Sequence, residues 1–293
     1  MKDESSFEDL SISASCLKKG KTIGMQGLGV VPCPTQISEG LLPAKPWLRS
    51  LGASTTANTN LVCFPFSGGS AQVFAPWNAK LSKDVGLWGV QYPGRGDRYA
   101  EAFACSVRDI GVAVAEEMST LGLGDIVLLG HSLGGIVAYE AAVRLSTLGL
   151  APRMLVVSSC SPPGVMLHRT LHSAPDEEFW ATLAGLGGID TQIVESPELR
   201  DVLAPILRSD LGLHARYQPD VALPQLQCPV LCYQASADPV VDVESLDDWA
   251  EVTTGSFELR RVEGDHFHAF DDASQLVSTI VGELKNKLQD WRI

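Results

Sequence analysis

The sequence contains little that would mark a nucleic-acid-binding or membrane-spanning protein. It has 22 Lys and Arg against 35 Asp and Glu, and the net charge of −13 argues against nucleic acid as the main partner, because binding phosphates needs a basic surface. No apolar run approaches the ~18 residues that span a bilayer, so we expect no membrane span. The first residues are acidic and lack an apolar segment, which disfavours a secretory signal and an Arg-rich transit peptide.

The seven cysteines form no recognisable ligand or redox pattern. Their number is odd, and neither a Cys-x-x-C pair nor a Cys/His ligand spacing occurs. Cys63, Cys160 and Cys232 lie inside apolar runs and are predicted to be small core residues. We therefore expect no metal site and a reducing, cytoplasmic compartment, with organelle targeting by the N-terminal segment left open.

What the sequence does have is material for a large core, since 45% of its 293 residues are apolar. Residues 1–45 carry Ser-rich and Lys-rich stretches with several glycines and are predicted to be an irregular N-terminal extension, leaving 46–293 as one domain. From residue 61, short apolar runs alternate with helical patterns; the runs are 61–64, 87–91, 126–129, 154–158, 230–233 and 257–262, and the helical patterns 106–121, 136–145, 246–253 and 273–288. This alternation predicts an α/β fold with a mostly parallel sheet that has helices on both faces.

Residues 173–217 interrupt this alternation with two amphipathic stretches. The first is 176–186. In the second, Ser196 is predicted to cap a helix that Pro197 opens, and Pro205 should kink or interrupt it. Position alone leaves open whether these helices add cover to the core or form a lid over a site.

Residues 130–134 read Gly-His-Ser-Leu-Gly and lie between a predicted strand and a predicted helix. In a sharp strand-to-helix turn, a serine hydroxyl is raised above the sheet, and glycines two positions before and after it are needed because side chains have no room there. The helix that follows points its first amides at a developing oxyanion. This context favours Ser132 as a nucleophile over a serine in an ordinary packing turn.

A serine nucleophile needs a base and an acid, which in this architecture follow it in the order acid, then histidine. Asp238 comes just after the run 230–233 and is predicted to be the acid, with Asp242 as its rival and a simple turn before Pro239 as the alternative. His266 follows the last predicted strand and is predicted to be the base, with His268 as the alternative. His131, beside the serine, is expected to pack or hydrogen-bond.

Residues 65–70 read Pro-Phe-Ser-Gly-Gly-Ser and follow the first of these runs. Two glycines let this backbone approach a site closely. We expect the amide of Leu133 to be the first oxyanion donor and the amide of Phe66 or Ser67 to be the second. A phosphate-binding loop is the alternative, but the Gly-Lys-Ser/Thr of a P-loop is absent and no Gly-x-Gly-x-x-Gly opens a helix.

With these residues in place, the chain resembles the type II thioesterases, the stand-alone α/β-hydrolases that serve polyketide and nonribosomal peptide synthases. The similarity covers residues 46–290 in order. It is carried by Pro-Trp-Leu-Arg at 46–49, the loop at 63–70, Gln-Tyr-Pro-Gly-Arg at 91–95, the turn at 130–134, Leu-Arg-Ser-Asp at 207–210, Asp-Pro at 238–239 and Gly-Asp-His-Phe at 264–267. The family often has Met where this chain has Leu133, and residues 1–45 have no counterpart in it.

The resemblance implies an α/β-hydrolase fold with a helical lid at about 173–217. It implies a serine hydrolase that cleaves acyl thioesters from the phosphopantetheine arm of an acyl or peptidyl carrier protein, for editing or product release in polyketide, nonribosomal peptide or fatty acid synthesis. Ser132, Asp238 and His266 would be its catalytic triad, with no metal or bound cofactor. We expect a monomer.

Other functions stay open from the residues. A carboxylesterase or an acyltransferase of the same fold is one alternative, and a non-catalytic ligand-binding protein on a hydrolase scaffold is another. Carrier proteins are acidic, as this chain is, so the carrier hypothesis requires a local basic patch. The candidates for that patch are Arg95, Arg98, Arg208 and Arg216, against the alternative of scattered, solvated arginines.

Overall fold

The computed structural model describes residues 45–52, 57, 59–166, 168–187, 189, 191–220, 222–271, 276, 277, 279, 280 and 282. The predicted extension at 1–45 lies outside these residues except for Lys45, and so does most of the helix predicted at 273–288. Both therefore stay predictions.

The described residues form a seven-stranded, mostly parallel sheet in the order β1-β3-β2-β4-β5-β6-β7. Only β1 runs antiparallel, beside β3. The other pairs of neighbouring strands are parallel. The strands are β1 (Leu48–Ser50), β2 (Thr59–Phe64), β3 (Val85–Val90), β4 (Ile126–His131), β5 (Met154–Ser158), β6 (Val230–Ala235) and β7 (Phe257–Val262). The six predicted strands are confirmed, whereas β1 was missed because three residues are too few to show a pattern.

Both faces of the sheet are buried, which explains why its strands are continuous apolar runs. Successive side chains of a strand point to opposite faces. In β2, Val62 and Phe64 pack in one apolar cluster with α1 (Val107–Thr120) and α2 (Leu133–Thr147). Their neighbours Leu61 and Cys63 pack in a second cluster with the 3-10 helix Ala71–Lys80 and with helical residues 276, 277 and 280. The predicted α/β-hydrolase fold, with helices on both faces, is confirmed.

A helical segment separates β5 from β6. It contains a short 3-10 helix (Leu171–Ser173), α3 (Asp176–Gly185), α4 (Thr191–Glu195) and α5 (Pro197–Arg216). The hydroxyl of Ser196 accepts a hydrogen bond from the amide of Leu199 at 3.3 Å, so the predicted cap of α5 is confirmed. The segment has an apolar cluster of its own, formed by Leu171, Phe179, Trp180, Leu183 and partly buried side chains of α5.

Pro205 does not interrupt α5, which is one helix of 20 residues. A proline inside a helix removes the bond to the carbonyl four residues earlier, here that of Asp201. Asp201 is exposed, so water can satisfy its carbonyl. The packing of Leu203 and Leu207 in the apolar cluster holds the residues on both sides of Pro205.

Beyond β6, the helix predicted at 246–253 is a 3-10 helix at Val243–Val252, and the short α6 (His268–Asp271) follows β7. None of the helices in the described part of the chain combines the length and apolar character that a membrane span needs.

Candidate active site

Ser132 occupies a strained turn at the carboxyl end of β4. Its φ of 54° and ψ of −125° lie where side-chain-bearing residues are seldom found. A Cβ at Gly130 would lie 2.1 Å from the carbonyl oxygen of Gly134, and one at Gly134 would lie 2.1 Å from that of Phe64. Both positions therefore require glycine, as the sequence predicted. The Ser132 amide donates to the carbonyl of Ser158 at 2.9 Å, which fixes the turn.

Asp238 and His266 are brought together from two loops. Nδ1 of His266 lies 2.9 Å from Oδ2 and 3.0 Å from Oδ1 of Asp238, and both side chains are buried. The amide of Val240 donates to Oδ1 of Asp238 at 2.9 Å. Burial raises the pKa of Asp238, but the hydrogen bond and charge of His266, with the Val240 amide, hold that pKa below its usual value. Since Nδ1 of His266 is engaged by the carboxylate, Nε2 is the nitrogen available to accept a proton.

The rival acid and the rival base are engaged elsewhere. Asp242 accepts a hydrogen bond from the amide of Glu244 at 3.2 Å and caps the 3-10 helix that follows. His268 lies 3.0 Å from the hydroxyl of Ser158 through its Nε2, and Nδ1 of His131 lies 3.1 Å from the same hydroxyl. Burial and the charges of His266 and His268 lower the pKa of His131 well below its usual value, so this imidazole is neutral at pH 7. The expected hydrogen-bonding role of His131 is confirmed.

The loop at 65–70, which follows β2, lies beside the serine turn. The amide of Gly68 donates to Oδ2 of Asp210 at 2.8 Å, and the amide of Gly69 donates to the carbonyl of Phe66 at 2.9 Å. These two amides are engaged within the fold, and the amides of Phe66 and Ser67 stay the loop's predicted donors. Leu133 is the first residue of α2, so its amide has no acceptor within the helix.

Ser132, His266, Phe66 and Ser67 line one cavity. The rest of its wall is mostly apolar and comes largely from the helical segment and the loop after β6, through Met166, Leu171, Leu183, Leu186, Leu207, Leu211, Val240, Val241 and Phe267. The lining of the cavity thus includes the Ser132 hydroxyl and the His266 imidazole, with an apolar surface over much of the remainder. Such a cavity suits an electrophilic carbonyl attached to an apolar chain.

The predicted basic patch at the entrance is wrong for Arg95 and Arg98, which are buried. Arg95 is 6% exposed and is paired with Asp210, and Arg98 is 3% exposed and is paired with Glu101. Arg208 binds Asp176 and lies over the ring of Phe179. Only Arg216 of the four is exposed. Arg95 and Arg98 are used inside the fold, since a buried guanidinium needs a carboxylate partner.

Two residues at the site were not predicted from the sequence. Asp210 contributes the buried carboxylate on the loop at 65–70, and its only signal was the Leu-Arg-Ser-Asp segment at 207–210. Ser159 has a φ of 47° and lines the cavity beyond β5, and no pattern marked it. Within the described part of the chain, no group of three or more His, Cys, Asp or Glu side chains could hold a metal ion.

Comparison with known proteins gives a consistent result. The family model described as "Thioesterase domain" matches residues 59–284. The thioesterase PikA5 of Streptomyces venezuelae is 32% identical over 255 residues, which cover 86% of this chain and 88% of PikA5.

Solved structures agree with this match. RedJ, a thioesterase from the prodiginine pathway of Streptomyces coelicolor, is 34% identical with a TM-score of 0.71, over 79% of this chain and 92% of RedJ. YbtT, a type II thioesterase of the yersiniabactin NRPS/PKS pathway, is 29% identical with a TM-score of 0.73, over 80% of this chain and 96% of YbtT. None of the names of these three proteins mentions fatty acid synthesis, so a role of this chain in fatty acid synthesis stays a prediction. The chain belongs to the thioesterase family, alongside the type II thioesterases of polyketide and nonribosomal peptide pathways, and is a hydrolase of acyl thioesters.

Proposed function

We propose that this thioesterase removes acyl or peptidyl groups held on the phosphopantetheine arm of a carrier protein, for editing or product release in a polyketide or nonribosomal peptide synthase. One observation carries the proposal: Ser132, in its strained turn, shares an apolar-walled cavity with His266, whose Nδ1 is held by Asp238. The pathways named for YbtT and RedJ support the choice of a carrier-bound substrate.

In the first half of the reaction, Oγ of Ser132 attacks the thioester carbonyl while its proton passes to Nε2 of His266. Asp238 orients the imidazole and stabilises its positive charge. The carbonyl oxygen becomes an oxyanion, which accepts hydrogen bonds from the amides of Leu133 and of Phe66 or Ser67. The C–S bond then breaks, and the leaving sulfur takes the proton from His266, giving a free phosphopantetheine thiol and an acyl ester on Ser132.

In the second half, His266 takes a proton from water as the water oxygen attacks the ester carbonyl. The same amides hold the second oxyanion. The C–O bond to Ser132 breaks, Oγ recovers the proton from His266, and the free acid leaves. The protein's own groups are sufficient for both halves, so the proposal includes no metal and no bound cofactor.

The helical segment is proposed to act as a lid, with its apolar residues as the binding surface of the acyl chain. Leu171, Leu183, Leu207 and Leu211 come from this segment and line the cavity. Burying an acyl chain against them is favourable by about 0.8 kcal/mol for each CH₂ removed from water. Chain-length preference is therefore expected to depend on these side chains.

The proposal is tested by intact-mass spectrometry of carrier proteins loaded with acyl thioesters, before and after incubation with the enzyme. We expect conversion to the free-thiol carrier by the native enzyme and no conversion by Ser132→Ala. Ser146→Ala, at the far end of α2, is the control and should match the native rate. Equal turnover by Ser132→Ala would overturn the proposal.

The same assay separates the rival functions. Oxygen esters of the same acids should be poorer substrates if the enzyme is a thioesterase, and better ones if it is a carboxylesterase. An acyltransferase would yield an acylated acceptor rather than the free acid. A binding protein would leave every loaded carrier intact.

A further inference from the structure

The loop at 65–70 is held by a buried carboxylate that comes from α5. Asp210 is 1% exposed, and its carboxylate contacts both terminal nitrogens of Arg95, with Nη2 lying 2.7 Å from Oδ1. Oδ2 also accepts the amide of Gly68 at 2.8 Å. One side chain of α5 thus joins the helical segment to the loop that follows β2.

The same loop is held at its two ends by the segment 91–95. The hydroxyl of Tyr92 donates to the carbonyl of Pro65 at 3.2 Å, and the amide of Ala71 donates to Oε1 of Gln91 at 3.2 Å. Burial and the nearby charge of Asp210 raise the pKa of Tyr92 well above its usual value, so its hydroxyl stays a donor. These contacts therefore restrain the backbone of residues 65–71 at both ends.

The helix that supplies Asp210 also supplies part of the cavity wall. Leu207 and Leu211 lie on either side of Asp210 in α5, and both line the cavity. Leu207 packs directly on the loop, since a Cβ at Gly68 would lie 2.7 Å from Cδ2 of Leu207. The proposed acyl-binding wall and the proposed oxyanion loop are thus parts of one packed unit.

A buried ion pair is weak evidence for stability, because desolvating two charges often cancels their attraction and apolar replacements are frequently as stable. The specific feature of this pair is its third contact, the amide of Gly68. That amide directly follows the amide of Ser67 and lies two residues after that of Phe66, and these two amides are the predicted oxyanion donors. A carboxylate fixed by Arg95 sets the direction of the Gly68 peptide and so the direction of the amide before it.

We propose that Asp210, fixed by Arg95, and Tyr92 are positioning residues that hold the oxyanion loop from two sides and couple it to the acyl-binding wall of α5. This inference rests on the proposed function of the Ser132 site. Interactions that act only in the transition state lower kcat when they are removed and leave KM unchanged. Residues with a purely structural role would change the thermal stability when replaced, without lowering kcat at unchanged KM.

The first experiment compares two double variants that differ only at the acceptor. Arg95→Met/Asp210→Asn keeps an oxygen that can accept the Gly68 amide, whereas Arg95→Met/Asp210→Leu has the same shape without it, and neither leaves a buried charge unpaired. We expect the Leu variant to have a kcat at least about tenfold below that of the Asn variant on a small acyl thioester, with equal KM. Equal kcat values would overturn the inference for Asp210.

The second experiment does not depend on those variants folding. Tyr92→Phe removes one hydroxyl, and Tyr233→Phe removes another buried hydroxyl, on β6, as the control. We expect Tyr92→Phe to lower kcat by about tenfold, with KM and the pH profile unchanged, and the control to keep the native kcat. A native kcat in Tyr92→Phe would overturn the role of Tyr92, and a shifted pH profile would assign its effect to His266 instead.

Ser132→Ala is measured alongside these variants and distinguishes failure of the positioning inference from failure of the proposed function. If Ser132→Ala is inactive and the paired variants do not differ, only the positioning inference fails. If Ser132→Ala keeps the native rate, the proposed function fails and the inference fails with it.

Discussion

Ser132 holds a backbone conformation that costs on the order of 1–3 kcal/mol, and the residues around it maintain that conformation. Gly130 and Gly134 provide the space, and the hydrogen bond from the Ser132 amide to Ser158 closes the turn. Strain that is retained in this way is typical of functional positions. The proposed chemistry at this scale requires a hydroxyl raised above the sheet and an imidazole oriented by a carboxylate.

Asp238→Asn removes the charge that holds His266 while keeping the side-chain shape. We expect kcat to fall by about 10²–10⁴, because the amide can hold the wrong tautomer of the imidazole and cannot stabilise its positive charge. Asp242→Asn is the matched control, since Asp242 caps a neighbouring 3-10 helix. Steady-state kinetics on one acyl thioester checks both variants. A larger loss of kcat in Asp242→Asn than in Asp238→Asn would assign the catalytic acid to Asp242 instead.

The location of a site residue could be predicted from the sequence where that residue comes directly after a predicted strand. Asp238 and His266 could be found from sequence because the carboxyl ends of parallel strands meet at one edge of the sheet. The sequence favoured Asp238 over Asp242, four residues away in the same loop, and the structure places Asp238 against Nδ1 of His266. Arg95 was misjudged because its partner, Asp210, is far away in sequence and no local pattern reveals a buried pair.

At the scale of elements, α5 combines two surfaces. Its inner residues line the cavity, while Leu199 and Val202 are exposed. The sequence predicted this helix from its cap and its apolar spacing, but not its continuity through Pro205, which depends on packing against α3. Similarly, β1 is defined by its pairing with β3 rather than by any pattern of its own.

Leu211→Phe is expected to shift substrate preference toward short acyl chains. A larger side chain fills cavity volume that a long chain would occupy, and one or two methylenes of lost fit correspond to about 10–200-fold in kcat/KM. The measurement is the ratio of kcat/KM for octanoyl and propionyl thioesters. Leu199→Phe, on the exposed face of the same helix, should leave this ratio unchanged. An unchanged ratio in Leu211→Phe would contradict the proposed acyl site.

We expect His214 of α5 to make the free energy of unfolding depend on pH. Its Nε2 is buried without a hydrogen-bond partner among the described residues, and burial, with the charge of Arg169, lowers its pKa to about 4. Between pH 6.5 and about 4 the unfolded chain binds this proton and the folded one does not, so the free energy of unfolding falls as the pH is lowered.

Urea unfolding of native enzyme and His214→Gln at pH 7.5 and pH 5 measures this contribution. We expect the native enzyme to lose on the order of 1–2 kcal/mol more than His214→Gln on acidification. His172→Gln, which replaces a nearby histidine whose Nδ1 lies 2.9 Å from the carbonyl oxygen of Arg169, should behave as the native enzyme does. Equal losses in all three proteins would refute the assignment to His214.

At the scale of the whole molecule, the chain has a net charge of the same sign as that of its proposed carrier-protein partner. The chain carries −13 and carrier proteins are acidic, while two of the four arginines predicted to form a basic patch are buried in ion pairs and a third, Arg208, is paired with Asp176. The α/β architecture was predictable because its strands and helices alternate with distinct periods. The electrostatic potential of the surface could not be predicted, because it depends on which charges are paired within the fold.

Raising NaCl from about 20 mM to about 200 mM should lower KM for carrier-bound acyl groups, because screening weakens the long-range repulsion between two acidic proteins. KM for a small neutral thioester should stay constant and is the control. A carrier KM that rises with salt would show instead that attraction by a local basic surface governs docking.

Peptide mass spectrometry after reaction with a serine-directed fluorophosphonate tests whether Ser132 is the nucleophile. We expect one modified peptide, carrying the added mass on Ser132, and no modification of the Ser132→Ala protein. Modification of a different residue in the native enzyme, or equal labelling of Ser132→Ala, would contradict this assignment.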